Sequence, residues 1–109
     1  MARDYNFWVY IMTNKHRTVL YIGMTDNLVR RVGEHRAGDI PGFTTSYRCK
    51  DLVYYEHCTD ALDAITREKQ LKRWSRSKKA TLIATLNPQW RDLAPEILGE
   101  KQTVAPLRA

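Results

Sequence analysis

The sequence predicts a single mixed α/β domain with the element order β-β-α-β-α-α. Apolar and aromatic side chains alternate over residues 7–12, and residues 18–23 are a run of β-branched and aromatic residues, so both segments are predicted strands. Apolar residues recur at helical spacing between positions 61 and 71. With 109 residues, of which 43% are hydrophobic, the chain can form one modest core but not two.

The first two strands are predicted to form an antiparallel hairpin. Residues 14–17 are polar and provide its turn. If Thr13 and Thr18 close that loop, Tyr10 lies directly opposite Tyr21. Directly opposed residues share a face and lie about 5 Å apart at Cβ, so this register predicts two phenols that project side by side.

A helix is predicted after the hairpin, from N-cap candidates at residues 25–27 to about His35 or Arg36. Arg31 and His35 are four residues apart and therefore share a face of this helix. The predicted apolar stripe comprises Leu28, Val29 and Val32, with His35 at its edge. We therefore expect Arg31 and His35 at the rim of a packed interface rather than in open solvent.

The rest of the chain is predicted to form a third strand and two helices. The strand covers residues 50–57, the second helix about residues 60–74, and the third helix residues 77–86, where an Asn-Pro pair ends it. No periodicity remains beyond position 95. We therefore expect a folded domain over residues 1–94 and a loosely held tail over residues 95–109.

Glu68 is the anomaly of the second helix. It falls in the middle of the apolar stripe that Ala61, Ala64, Ile65 and Leu71 define. A carboxylate at such a position needs compensation, because desolvating a charge is costly. Its partner is either an arginine or lysine at the edge of the core or a divalent metal, for which a carboxylate oxygen is a suitable ligand.

Composition limits the class of protein. A formal charge of +6 and a pI of about 9.5 favour a polyanionic partner without requiring one. The chain has neither an 18-residue apolar run nor a secretory leader pattern, so we expect a cytoplasmic protein outside the membrane. Cys49 and Cys58 lack metal-ligand spacing and are expected to be free thiols. No protein partner is indicated, and a monomer and a homodimer both remain open.

Six polar positions carry a family resemblance. They are, in order, Tyr10, Tyr21 within Tyr21-Ile22-Gly23, Arg31, His35, Glu68 and Asn87. This pattern resembles the GIY-YIG nuclease superfamily, the small stand-alone bacterial members most of all, over about residues 5 to 93. Trp8 and Val9 stand where the first motif has Gly and Ile. Neither supplies a reacting atom, although Trp8 could alter how a substrate docks.

The resemblance implies a three-stranded antiparallel sheet flanked by helices, and hydrolysis of phosphodiester bonds with a divalent metal, Mg²⁺ or Mn²⁺. It also implies roles for the matching residues. Tyr10 would be the base for the attacking water. His35 would accept a hydrogen bond from Tyr10 or orient it, and Tyr21 would position the phosphate or that water. Arg31 would neutralise charge in the phosphorane-like transition state, and Glu68 would hold the metal.

Two further expectations follow from the resemblance. Asn87 would be a supporting polar residue of the catalytic set. Because a phenol has a reference pKa of about 10, the pKa of Tyr10 would need to be depressed, and Arg31, the metal and hydrogen bonds to the phenolate could each depress it.

Basic residues concentrate at positions 67–79, a segment around Trp74 that contains seven basic residues and one acidic residue. Such a segment is commonly a solvated helix face, but beside a phosphodiesterase site we expect contacts with the phosphate backbone. The residues predicted to bind nucleic acid are Arg48, Lys50, Lys69, Lys72, Arg73, Arg76, Lys78 and Lys79.

The predicted function is a small metal-dependent endonuclease that acts on DNA, on a branched or damaged structure linked to DNA repair or processing. A non-catalytic nucleic-acid-binding module with the same fold is the alternative. A protein-interaction domain is a third class, and it predicts no metal dependence. The enzyme is favoured because every matched catalytic side chain is present.

Overall fold

The computed structural model describes residues 5–39, 42 and 47–99. Its strands are β1 (Phe7–Thr13), β2 (Leu20–Thr25) and β3 (Asp51–Cys58). They form an antiparallel sheet in the order β2-β1-β3, so β1 lies in the centre. The predicted three-stranded antiparallel sheet and its position among helices are confirmed.

The helices are α1 (Leu28–Ala37), α2 (Ala61–Arg73), α3 (Arg76–Leu86) and α4 (Ala94–Leu98). Side-chain oxygens cap the first three, because each accepts a hydrogen bond from an otherwise unpaired backbone N–H of the first turn. The capping residues are Asn27, Asp60 and Ser75.

The two faces of the sheet are covered by different helices. On one face, which we call the α1 face, Tyr10 and Met12 pack with Leu28 and Val32 of α1 and with Ala94 of α4. On the opposite α2 face, the buried residues are Val9, Ile11, Ile22, Val53, Tyr54, Ala64, Leu71 and Ile83. The alternation of the first strand therefore separates two apolar layers, as its period of two predicts.

The hairpin register differs from the predicted one. Tyr10 pairs with Gly23, and Tyr21 pairs with Met12, so the predicted pairing of Tyr10 with Tyr21 is wrong by two residues. The loop is six residues long because the Asn14 side-chain oxygen accepts hydrogen bonds from the backbone N–H groups of Thr18 and Val19, at 2.9 and 3.0 Å. A shift of two residues preserves the face, so both phenols still belong to the α1 face.

Helix α4 was not predicted. Pro95 occupies its first turn, where proline is tolerated, and the buried residues Leu93 and Ala94 attach it to the α1 face. Five residues are too few for a periodic pattern. The part of the predicted tail beyond position 99 lies outside the described residues.

The structure also bears on the predictions for two apolar side chains, the cysteines and membrane-spanning helices. Val29 and Ile65 were assigned to apolar stripes, but their side chains are 49% and 37% exposed. Cys49 and Cys58 are free thiols, the first buried and the second half-buried. None of the helices in the described part of the chain has the length and apolar character needed to span a bilayer.

Candidate active site

Tyr10 is buried at the centre of the sheet, with 2% of its surface exposed. Its hydroxyl oxygen lies 2.9 Å from His35 Nε2, which joins β1 to α1 through a buried hydrogen bond. Gly23 makes room for the ring, because a Cβ atom added at Gly23 would stand 2.5 Å from Tyr10 Cζ and from its hydroxyl oxygen. No role was predicted for Gly23 from the sequence, although a glycine inside a strand pattern is a known signal of close approach.

His35 is buried on the inner face of α1, with 3% of its surface exposed. Burial, and then the charge of Arg31, lower the pKa of His35 to about 4, so the imidazole is neutral at pH 7. Its Nδ1 is buried and has no hydrogen-bond partner among the described residues. A neutral imidazole carries one N–H, and an Nδ1–H tautomer leaves Nε2 free to accept the proton of Tyr10.

The pKa of Tyr10 is raised, which is opposite to the expected depression. Burial is the largest cause and the neighbouring phenol of Tyr21 is the second, while the positive charge of Arg31 opposes them. The expectation considered only nearby charges and hydrogen bonds, whereas desolvation of the phenolate outweighs them in this protein. Tyr10 is therefore a neutral phenol at pH 7.

Tyr21 and Arg31 complete the cluster around His35. The Tyr21 ring centre lies 5.4 Å from that of His35 and 6.3 Å from that of Tyr10. Arg31 is half-buried, and its Nε lies 3.6 Å from Glu34 Oε1. The structure thus brings together four of the predicted site residues, from β1, β2 and α1.

Glu68 is contributed by the helix that packs on the other face of the sheet. It lies on α2, its side chain is 21% exposed, and its Oε2 is 3.3 Å from Lys72 Nζ. Its charge is among the causes that raise the pKa of Tyr10, so it lies within electrostatic reach of the phenol. Lys72 is therefore one charge partner of this half-buried carboxylate.

Asn87 is not brought to the cluster. Its side-chain nitrogen donates to the carbonyl oxygens of Val53 and Arg91, at 3.1 and 2.7 Å, and its oxygen accepts from the Arg91 backbone N–H at 3.2 Å. These bonds fasten the segment after α3 to β3. The polar atoms of Asn87 are thus committed to backbone groups, and its predicted supporting role in catalysis stays a prediction.

Four of the predicted nucleic-acid-binding residues line two grooves. Lys72 and Lys79 line a groove of about 390 Å³ together with Leu20, Tyr21 and Ile22, which we call the β2 groove. Lys69 and Arg73 line a second groove of about 450 Å³ together with Thr66, Gln70 and Trp74, which we call the α2 groove. Only the β2 groove includes a member of the tyrosine cluster.

The other four are distributed differently. Arg76 donates to the carbonyl oxygens of Arg17 and Thr18, and Lys78 Nζ lies 4.4 Å from the Trp74 ring centre, so both make contacts within the protein. Arg48 and Lys50 are exposed on either side of the buried Cys49.

Comparison with known proteins gives a family match that covers most of the chain. The GIY-YIG catalytic domain matches residues 6–81 of the chain. The chain belongs to the GIY-YIG family. The matched region includes Tyr10, Tyr21, Arg31, His35 and Glu68, and it ends before Asn87.

Relatives of this GIY-YIG protein carry the name UPF0213 protein, which states no activity. The one from Natronomonas pharaonis is 38% identical over 84 residues, which are 77% of this chain and 95% of that one. The one from Staphylococcus haemolyticus is 36% identical over 83 residues, 76% and 96% of the two chains. The solution NMR structure of a UPF0213 protein from Bacillus halodurans matches with a TM-score of 0.52 and 23% identity, covering 93% and 99% of the chains, and so shares the fold.

Proposed function

We propose that this protein is an endonuclease that hydrolyses phosphodiester bonds in DNA with Mg²⁺ or Mn²⁺ bound at Glu68. One observation carries the proposal. The Tyr10 hydroxyl is hydrogen-bonded at 2.9 Å to a neutral His35, and Arg31 acts electrostatically on both groups. Structured DNA of the kind that repair or processing must cut is the proposed substrate.

In the proposed mechanism, Tyr10 and His35 act as a relay. Because the pKa of Tyr10 is raised, its hydroxyl does not ionise in advance. The hydroxyl oxygen takes a proton from the attacking water while its own proton passes to His35 Nε2. The water oxygen bonds to phosphorus, the bond to the departing oxygen breaks, and that oxygen is protonated from solvent.

Substrate binding would make the relay effective. An imidazole with a pKa of about 4 is a weak acceptor in the free protein. A negatively charged phosphate beside His35 favours the imidazolium form. Pairing of the phosphate with Arg31 would also compensate the positive charge of Arg31, which is the second cause of the low His35 pKa. Arg31 can also grip two phosphate oxygens with its planar guanidinium, where charge accumulates in the transition state.

Glu68 is the residue proposed to hold the metal. No three His, Cys, Asp or Glu side chains lie together as a ligand set within residues 5–39, 42 and 47–99. Mg²⁺ retains several waters and often takes only one or two carboxylates plus phosphate oxygens, so a single half-buried carboxylate fits it. Such an ion, when bound, lowers the pKa of water and stabilises charge on phosphate oxygens.

A cleavage panel tests the function. Single-stranded, duplex, flap and four-way DNA would each be incubated with Mg²⁺, Mn²⁺ or EDTA, alongside RNA of the same sequences. We expect cleavage with either metal, none with EDTA, and a preference for a branched substrate. Binding without cleavage under every condition would instead identify a non-catalytic nucleic-acid-binding module.

A further inference from the structure

The β2 groove is lined by residues of the outer strand β2 and of the helices α2 and α3. Tyr21 belongs both to the cluster and to the wall of the groove. Leu20 and Ile22 supply apolar wall, and Lys72 and Lys79 supply two ammonium groups from different helices. A groove that shares one residue with the tyrosine cluster and carries two cations suits a strand whose phosphates repeat along its length.

The two ammonium groups differ in what they are paired with. Lys72 Nζ lies 3.3 Å from Glu68 Oε2. Lys79 is half-buried, and within the described part of the chain it makes no ion pair. A partly desolvated cation with no carboxylate beside it favours an incoming anion.

Lys79 is also held in place relative to β2. Arg76 lies one turn before Lys79 on α3, and its guanidinium donates to the carbonyl oxygens of Arg17 and Thr18, in the loop that leads into β2. The same guanidinium lies 5.9 Å from the Trp90 ring centre. The helix that carries Lys79 is therefore tied to the strand that forms the opposite wall.

We infer that the β2 groove binds the phosphate next to the one that is cut, with Lys79 as its contact. The inference rests on the proposed function, because it gives the path of the same DNA strand. Lys79 would be a positioning residue, which fixes the phosphate at Tyr10 and Arg31 by holding its neighbour. The α2 groove would add only general attraction for a polyanion.

Short oligonucleotides test the inference in EDTA, without cleavage. The thymidine dinucleotide has one internucleotide phosphate and the trinucleotide has two, so the ratio of their affinities measures the second phosphate contact. Affinities come from amide shifts in ¹H–¹⁵N NMR titrations. In the unmodified protein we expect the trinucleotide to bind more tightly and to add shifts at residues 20–22 and 79.

The Lys79→Ala variant should lose the gain in affinity of the trinucleotide over the dinucleotide. An ion pair that stays partly solvated contributes about 1 kcal/mol at most, so the affinity ratio should fall by about two- to fivefold. Lys69→Ala removes an equal charge from the α2 groove and should weaken both ligands by the same factor, with the ratio preserved. A ratio that survives Lys79→Ala, or shifts confined to the α2 groove, would overturn the inference.

The result is separable from the proposed activity. If Lys79→Ala removes the gain but no DNA is cut with either metal, the groove is a strand-binding site and the enzymatic proposal fails. If DNA is cut and the gain is unaffected by Lys79→Ala, the enzymatic proposal stands and the groove inference fails.

Discussion

Gly23 lies beneath the ring of Tyr10, so close that a methyl group at Gly23 would stand 2.5 Å from the Tyr10 hydroxyl oxygen. The Tyr10 ring is buried and cannot move aside freely. Gly23→Ala should therefore displace the hydroxyl from His35, lower cleavage strongly, and destabilise the fold by about 1–3 kcal/mol. Single-turnover cleavage and urea denaturation measure the two effects.

Gly33→Ala is the matched control for that substitution. Gly33 lies within α1, and an added Cβ there meets no atom within 4 Å. The alanine should raise stability by about 1 kcal/mol and leave cleavage unchanged, because alanine is the better helix former. Equal effects of the two substitutions would show that Gly23 does not position Tyr10.

Tyr10→Phe removes one hydroxyl from the proposed relay. The ring packing is retained, so the fold should survive, with a loss of about 1–3 kcal/mol because His35 Nε2 is left unpaired. Cleavage should fall by about 10²- to 10⁴-fold. Tyr55→Phe is the control, since Tyr55 is paired with Tyr10 in the sheet and lies on the same face. A Tyr10→Phe protein that cuts at the normal rate would remove Tyr10 from the mechanism.

The cluster shows how far the sequence alone could predict this site. The alternation of β1 and the helical spacing of Arg31 and His35 were sufficient to predict that four side chains lie together. A register error of two residues leaves a strand residue on the same face, and the spacing on the helix does not depend on the register. The register itself depends on the hydrogen bonds of the Asn14 side chain inside the loop, which no periodicity encodes.

Burial explains what could not be predicted. The raised pKa of Tyr10 results from packing between the sheet and α1, and sequence spacing does not report that desolvation. Asn87 has the residue type and position of a catalytic neighbour, but the carbonyl oxygens that its side chain bonds come from Val53, which is distant in sequence, and Arg91. Tertiary contacts therefore determine both the pKa of Tyr10 and the hydrogen-bond partners of Asn87.

Arg31→Lys keeps the charge and changes its shape. A lysine ammonium cannot form two parallel bonds to phosphate oxygens, so cleavage should fall by about tenfold or more, while DNA binding changes little. Arg30→Lys is the control, because Arg30 is adjacent and more exposed, at 58% of its side chain. Equal rates for the two variants would contradict a bidentate role for Arg31.

Glu68→Gln keeps the size of the side chain and removes its charge. We expect cleavage to be abolished at all concentrations of Mg²⁺, whereas DNA binding in EDTA is retained or strengthened as Lys72 loses its carboxylate partner. Asp63→Asn makes the same change on α2 at an exposed position and should leave the Mg²⁺ dependence unchanged. Metal-dependent cleavage by Glu68→Gln at the normal rate would place the metal elsewhere.

His35 should make the fold sensitive to acid. Its pKa is about 4 in the folded protein and about 6.5 in the unfolded chain, so the unfolded state takes up the proton first as the pH falls. The stabilisation is complete above pH 6.5 and is lost progressively as the pH falls from there to the folded pKa, below which both states are protonated. Between pH 7 and pH 4.5 the contribution of His35 should decrease by about 2–3 kcal/mol.

The acid sensitivity can be isolated by comparison with His35→Gln. The glutamine does not titrate, and carboxylate groups contribute equally to both proteins. The free energy of unfolding from urea denaturation should therefore fall less steeply with decreasing pH in the variant. Parallel pH dependences would mean that His35 titrates near its ordinary pKa, in which case it would be partly charged near neutral pH. The relay would then lose its neutral acceptor, because an imidazolium has no lone pair to take the proton of Tyr10.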